Sequence, residues 1–279
     1  MPSHVFDQAI ALTRQGANQF QGHTSPGYWN MVGPFGGISA ALVMNAVMQH
    51  PARLGEPISL TINYASGMVQ GVFSVTARAA RTNRSTQHWV VEVSQPDAEG
   101  EAQTVLSASI ISAVRRETWS GHDMPMPLVP APDDVPRQTI ETRLEWLKQY
   151  ELRVVTGKMP RPFDGSVRQE DPYTNSLTQM WMRDEPPRPL DFCSLAAFAD
   201  IFYPRVYLRR ASVVNVGTVT MTVYFHVGSG ELQDAGTGHV FGQARGQAYQ
   251  NGYFDQSAQL WSESGTLLVT SLQLVYYRN

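Results

Sequence analysis

The 279-residue chain contains a single cysteine, Cys193. That excludes an internal disulfide framework and any cysteine-rich metal site. Charge is also sparse: 16% of residues are Asp, Glu, Lys or Arg, against about 25% in ordinary soluble domains. The 21 basic and 24 acidic residues leave a net charge of −3. With no basic surplus, neither nucleic acid nor an anionic membrane is an expected partner. Met1 to Phe20 lack the basic start and apolar run of a signal peptide. No run of about 18 apolar residues is present to span a bilayer, so the expected location is cytoplasmic. A G-x-S-x-G elbow, a P-loop and a G-x-G-x-x-G fingerprint are all missing, which argues against an α/β serine hydrolase and against nucleotide chemistry. The seven histidines include no two at ligand spacing on one element. Neither a metal nor a cofactor is therefore expected.

What is present is apolar material: 42% of the chain. At this length about 75% of the unfolded surface can be buried, and the length suits two modest domains or one large one. The sharpest composition shift runs from Glu117 to Arg137, with prolines at 125, 127, 130, 132 and 136. Such a run cannot be a helix interior or a central strand. It predicts a domain over 1–117, a proline-rich linker over 118–139 and a second domain over 140–279. A short helix is expected over Thr139 to Tyr150, from the apolar positions Leu144, Trp146, Leu147 and Tyr150. A second loop-like stretch spans Lys158 to Pro172.

The two halves read as copies. Tyr28-Trp29 precedes the apolar run Ile38 to Met48, which stops at Pro51. Met180-Trp181 precedes the run Cys193 to Phe202, which stops at Pro204. From Trp to Pro is 22 residues in one copy and 23 in the other. Further on, Leu60-Thr61-Ile62-Asn63-Tyr64 parallels Met221-Thr222-Val223-Tyr224-Phe225, and Thr104-Val105-Leu106 parallels Thr266-Leu267-Leu268. Both apolar runs lack a polar face, so as helices they must be enclosed by protein. The stretch from Val216 to Val227 alternates threonine and tyrosine with apolar residues, the two-residue period of a strand. One buried helix followed by long antiparallel strands, twice over, is an α+β architecture. A twisted sheet wrapped around a central helix satisfies each half.

That arrangement is the hotdog fold. The tract Val32-Gly33-Pro34-Phe35-Gly36-Gly37 opens the first helix, and Ala199-Asp200 sits late in the second. Thr218 lies eight residues before His226, and Ser271-Leu272-Gln273 precedes a terminal Arg278-Asn279. In these tracts and in element order the chain resembles the acyl-CoA thioesterase II family. The likeness does not extend to 117–180. The resemblance implies a double hotdog, hydrolysis of an acyl-CoA, and Asp200, Thr218 and Gln273 as the working trio around one water.

The residues carry part of this independently. Asp200 is the lone charge in the run Cys193 to Phe202, and a carboxylate is seldom buried unless paired or employed. A plain alternative is a helix-end acid tied to Arg205 or Arg209. Counting back from the two prolines sets Asp200 opposite Val47, so the shared scaffold does not require an acid there. The same alignment sets Thr218 opposite Pro57 and Gln273 opposite Ile111. Gln273 interrupts an apolar run, although a solvent-facing strand residue is an equal reading, and Thr218 is an ordinary strand residue. Gly36-Gly37 is the candidate oxyanion donor, because a helix start presents free N–H groups. Those glycines read equally well as aids to close helix packing. His226 and Cys193 read as structural. Arg81 with Arg84, and Arg205 with Arg209 and Arg210, read as solvated strand ends more than as sites for coenzyme A phosphates.

One active site per chain is expected, with donors from the first half and the acid from the second. Enoyl-CoA hydration on the same fold and silent acyl-CoA binding are the alternatives. Homo-oligomers are expected because hotdog sheets leave edge strands open. The 117–180 insert is a candidate cover for the groove.

Overall fold

The computed structural model describes residues 4–140, 142–160, 162–167 and 176–278. Among these residues thirteen strands form one sheet. Those of the first half are β1 (Thr13–Arg14), β2 (Gln19–His23), β3 (Glu56–Tyr64), β4 (Val72–Thr82), β5 (Thr86–Pro96) and β6 (Ala102–Ala113). The second half supplies β7 (Tyr150–Thr156), β8 (Thr178–Asp184), β9 (Asn215–Phe225), β10 (Val240–Arg245), β11 (Tyr249–Gln250), β12 (Tyr253–Ser262) and β13 (Leu267–Arg278). Five α-helices accompany them: α1 (Val5–Ala9), α2 (Gly36–Met48), α3 (Phe192–Phe198), α4 (Arg205–Arg209) and α5 (Ser229–Ala235). Among the described residues no helix is long and apolar enough to cross a membrane.

The strand order is β1-β2-β4-β5-β6-β3-β9-β13-β12-β10-β8-β7, with β11 on β12. Its middle is the antiparallel β3–β9 pair, and its two sides repeat each other outward from there. Leu60 pairs with Val223, Thr61 with Thr222 and Ile62 with Met221. These are the segments that match in sequence, so the pseudo-dyad passes through Thr61 and Thr222, whose hydroxyls meet at 3.0 Å.

The halves are thus two hotdogs fused edge to edge, and α2 packs on α3 inside the curve. The one long core joins both helices to the inner face of both half-sheets. This explains the missing polar face of α2. Residues on every side of it, including Ala40, Met44 and Val47, are buried, and Asn45 spends its amide on the Ile10 carbonyl at 2.7 Å.

Three expectations are refined. The helix expected over Thr139 to Tyr150 is a short 3₁₀ turn, Glu145–Gln149. The second apolar run is helical only to Phe198, which places Asp200 in the turn that follows. Of the loop Lys158 to Pro172, residues 161 and 168–172 lie outside the described residues, as does Asn279.

The linker does not behave as a cover. Its residues Met126, Val129 and Val135 pack on Trp181, Phe241 and Trp261. These three aromatics form one row across β8, β10 and β12, and the Trp181 indole donates to the Pro130 carbonyl at 2.9 Å. The adjoining inner-face residues Val240, Met180 and Leu260 belong to the main core, so the linker lies on the outer face. Among the described residues of the insert, those that reach the cavity described next are Leu144 and Trp146.

Candidate active site

The cavity holds about 450 Å³ and lies where the start of α2, the turn after α3 and the inner face of β9, β13 and β12 converge. Asp200, Gly36, Thr218 and Gln273 all border it. The Gln273 amide donates to the Asp200 carboxylate at 3.0 Å and to the Ala199 carbonyl at 3.1 Å, and it touches the Met221 sulfur at 3.2 Å. Gln273 therefore joins the β-sheet to the α3 turn and fixes the acid. It is buried, which removes the reading of a solvent-facing strand residue.

Thr218 reaches the cavity through a strand irregularity. In strict alternation it would share the outer face with Thr220, Thr222 and Tyr224. The pairing instead steps from Leu274–Thr220 to Val275–Thr218, leaving Val219 as an extra residue. Such a bulge turns the strand by one position. Thr218 then faces inward beside the buried Val275. The first half bulges at the matching point, Ile58, next to Pro57, where a residue without an N–H is tolerated. The Thr218 hydroxyl bonds no described residue, so it is open to a ligand or water, but it does not touch Asp200 as Gln273 does.

The glycines serve close approach. A Cβ on Gly36 would stand 2.6 Å from the Asp200 Oδ2, and one on Gly37 would stand 2.5 Å from the Ala197 carbonyl oxygen. The packing role considered for them therefore applies. The N-cap of α2 is Phe35, with no side-chain cap, and the Gly37 N–H turns instead to the Asp200 carboxylate. Tyr64 anchors this turn by donating to the Gly36 carbonyl at 2.8 Å. Phe35 stacks on Trp146 with centroids 4.1 Å apart.

Burial raises the Asp200 carboxyl to about 7; the Gln273 amide and the adjacent Gly37 N–H oppose that shift only in part. Burial also raises Tyr64, with Asp200 as the second cause. The ion-pair alternative for Asp200 fails. Arg205 is fully buried and directs its guanidinium to the Tyr203 and Ser176 carbonyls and the Thr178 hydroxyl. That also removes Arg205 from any role with coenzyme A phosphates.

Two counterparts shift in register. Paired positions set Gln273 (with Met221) against Ile110 (with Leu60), not Ile111. Counted from the N-caps Phe35 and Asp191, Asp200 matches Met44 rather than Val47. Each counterpart remains apolar, so the contrast stands. Sequence reasoning passed over Gln256, a buried amide on β12 that also borders the cavity. Its signal was available: it breaks the apolar alternation Phe254, Ala258, Leu260 just as Gln273 breaks its own.

Family models for the acyl-CoA thioesterase N-terminal and C-terminal domains match residues 25–113 and 125–277. A hot-dog-fold protein of unknown function from Alicyclobacillus acidocaldarius is 42% identical, with TM-score 0.90 over 99% of each chain. At 18% identity, a tesB protein from Mycobacterium avium subsp. paratuberculosis superposes with TM-score 0.77 over 99% of this chain and 100% of that one. An acyl-CoA thioesterase II, TesB2, from Mycobacterium marinum is 19% identical, with TM-score 0.72 over 98% of each chain. No curated protein matches. The fold is a double hotdog. The chain belongs to the acyl-CoA thioesterase family.

Proposed function

We propose that this protein hydrolyses an acyl-CoA by water that Asp200 activates. The supporting observation is the meeting of three features at one cavity: a buried carboxyl, an amide that orients it, and an uncapped helix start. A carboxyl that titrates near neutrality is matched to accepting a proton from water. Asp200 takes that proton as the water oxygen bonds to the thioester carbon. The carbonyl electron pair moves to oxygen, which the Gly36 N–H at the start of α2 stabilises, while the neighbouring Gly37 N–H bonds the Asp200 carboxylate. Collapse breaks the C–S bond, and the proton on Asp200 goes to the departing coenzyme A thiolate. Thr218 holds the water through its free hydroxyl, and Gln273 holds Asp200.

Hydration of an enoyl-CoA has less support, since no histidine borders the cavity among the described residues. The two halves act as one unit with one site. The chain also self-associates in this reading, since each half-sheet ends in an edge strand, β1 or β7, and light scattering measures that directly. The decisive experiment is turnover of a panel of acyl-CoAs by the wild type and by Asp200→Asn. The expected result is loss of about 10³-fold in kcat, the scale of a positioned general base. Wild-type rates in the variant would sink the mechanism, and no turnover by either would sink the activity.

A further inference from the structure

Gln256 is only 3% exposed, yet its amide has no hydrogen-bond partner among the described residues. It stands directly across from Gln273 in the β12–β13 ladder, with its side chain on the same inner face, and it borders the cavity. At the matching point of the first half, Trp89 faces Ile110, and both are fully buried and apolar. The first half therefore fills this position with an aromatic ring whose one N–H is paired, to the Ser112 hydroxyl at 3.4 Å. The amide is not among the fully enclosed unpaired polar atoms, so it faces the open cavity, where a ligand that enters can meet it.

We propose that Gln256 recognises a hydrogen-bonding oxygen on the acyl group, within a few bonds of the thioester carbon. The substrate class is then a hydroxy- or oxoacyl thioester, in preference to an unsubstituted one. The position follows from the ladder. Directly paired residues hold their Cβ atoms about 4.5–5.5 Å apart, and Gln273 touches Asp200 itself. Gln256 is thus one side chain away from the acid assigned to the attack. A site built to bond an oxygen rejects the analogue that lacks it, because its own polar group is then buried without a partner. This inference rests on the thioesterase reading but is separable from it.

The test compares hexanoyl-CoA with its 2-hydroxy and 3-hydroxy derivatives on the wild type and on Gln256→Met, which keeps the side-chain length and removes the amide. The wild type is expected to favour one hydroxyacyl substrate at least tenfold in kcat/KM. In Gln256→Met that ratio collapses, with the hydroxyacyl rate falling and the plain acyl rate rising. Calorimetric binding of the same three thioesters reads the ratio even if neither protein turns them over, a result that would reject hydrolysis alone. A wild-type ratio near one overturns the proposal. So does a ratio unchanged in Gln256→Met, or an equal loss on all three substrates, which would place Gln256 on the attacking water.

Discussion

The two halves share a backbone plan down to a bulge at the same point of the central strands, yet their inner faces differ at four matching positions. The first half presents Met44, Pro57, Trp89 and Ile110, and the second presents Asp200, Thr218, Gln256 and Gln273. The helix starts differ in the opposite sense. Asp191 and Ser194 close the N-terminus of α3 with a reciprocal capping box, in which the Ser194 N–H donates to Asp191 at 2.7 Å. That of α2 opens on two glycines with no side-chain cap. In the proposed mechanism each half alone holds only part of the site: a donor without an acid, or an acid beside a closed helix. Fusion sets the open start of one against the acid of the other. The lesson is that, in the proposed mechanism, two scaffolds of one plan divide a single chemistry between them.

Breaking this contrast at its acid has the largest expected effect, the roughly 10³-fold loss in Asp200→Asn measured by steady-state turnover. Replacing Gln273 by the first half's residue, Gln273→Ile, removes the amide that holds Asp200. A fall in kcat of about 10²-fold is expected, with the kcat–pH profile displaced to higher pH, because a hydrogen bond that favours the charged carboxylate is lost. An unchanged pH profile would reduce Gln273 to packing. Thr218→Val keeps the shape and deletes the hydroxyl, with an expected loss of about tenfold, the scale of one neutral hydrogen bond.

The smallest effect is on stability, and its sign follows from the raised carboxyl. In the folded chain Asp200 holds its proton up to about pH 7, whereas unfolded it ionises near 3.8. Its stabilising contribution is complete below pH 4 and declines as pH rises through 7. Asp200→Asn should therefore melt several degrees above the wild type at pH 8 and close to it at pH 4. Asp184 is shifted in the same direction, again by burial, to about 7. Among the described residues neither of its oxygens has a hydrogen-bond partner, and it does not border the cavity. Asp184→Asn should reproduce the stability gain without the loss of turnover, which separates an acid that works from one that is merely enclosed.

The sequence by itself determined the repeat, the all-round apolar helices and the exceptions within them. Periodicity and composition are local properties, and burial imposes them on each half alike. Asp200 and Gln273 were visible because a polar residue in an apolar run stands out against a copy that lacks it. Gln256 carried the same signal, but its counterpart Trp89 lies on a strand whose register with β12 only the pairing reveals. Only the tertiary structure decided that Val219 bulges and turns Thr218 inward, because alternation in the sequence carries no mark of an inserted residue. It also decided that the proline-rich linker covers the aromatic row on the outer face and not the cavity, since an apolar segment alone does not specify which apolar surface it meets. Above all, it set the start of α2 against the turn after α3, a contact between residues 163 positions apart (Gly37 and Asp200), which follows from how the two sheets join at Thr61 and Thr222.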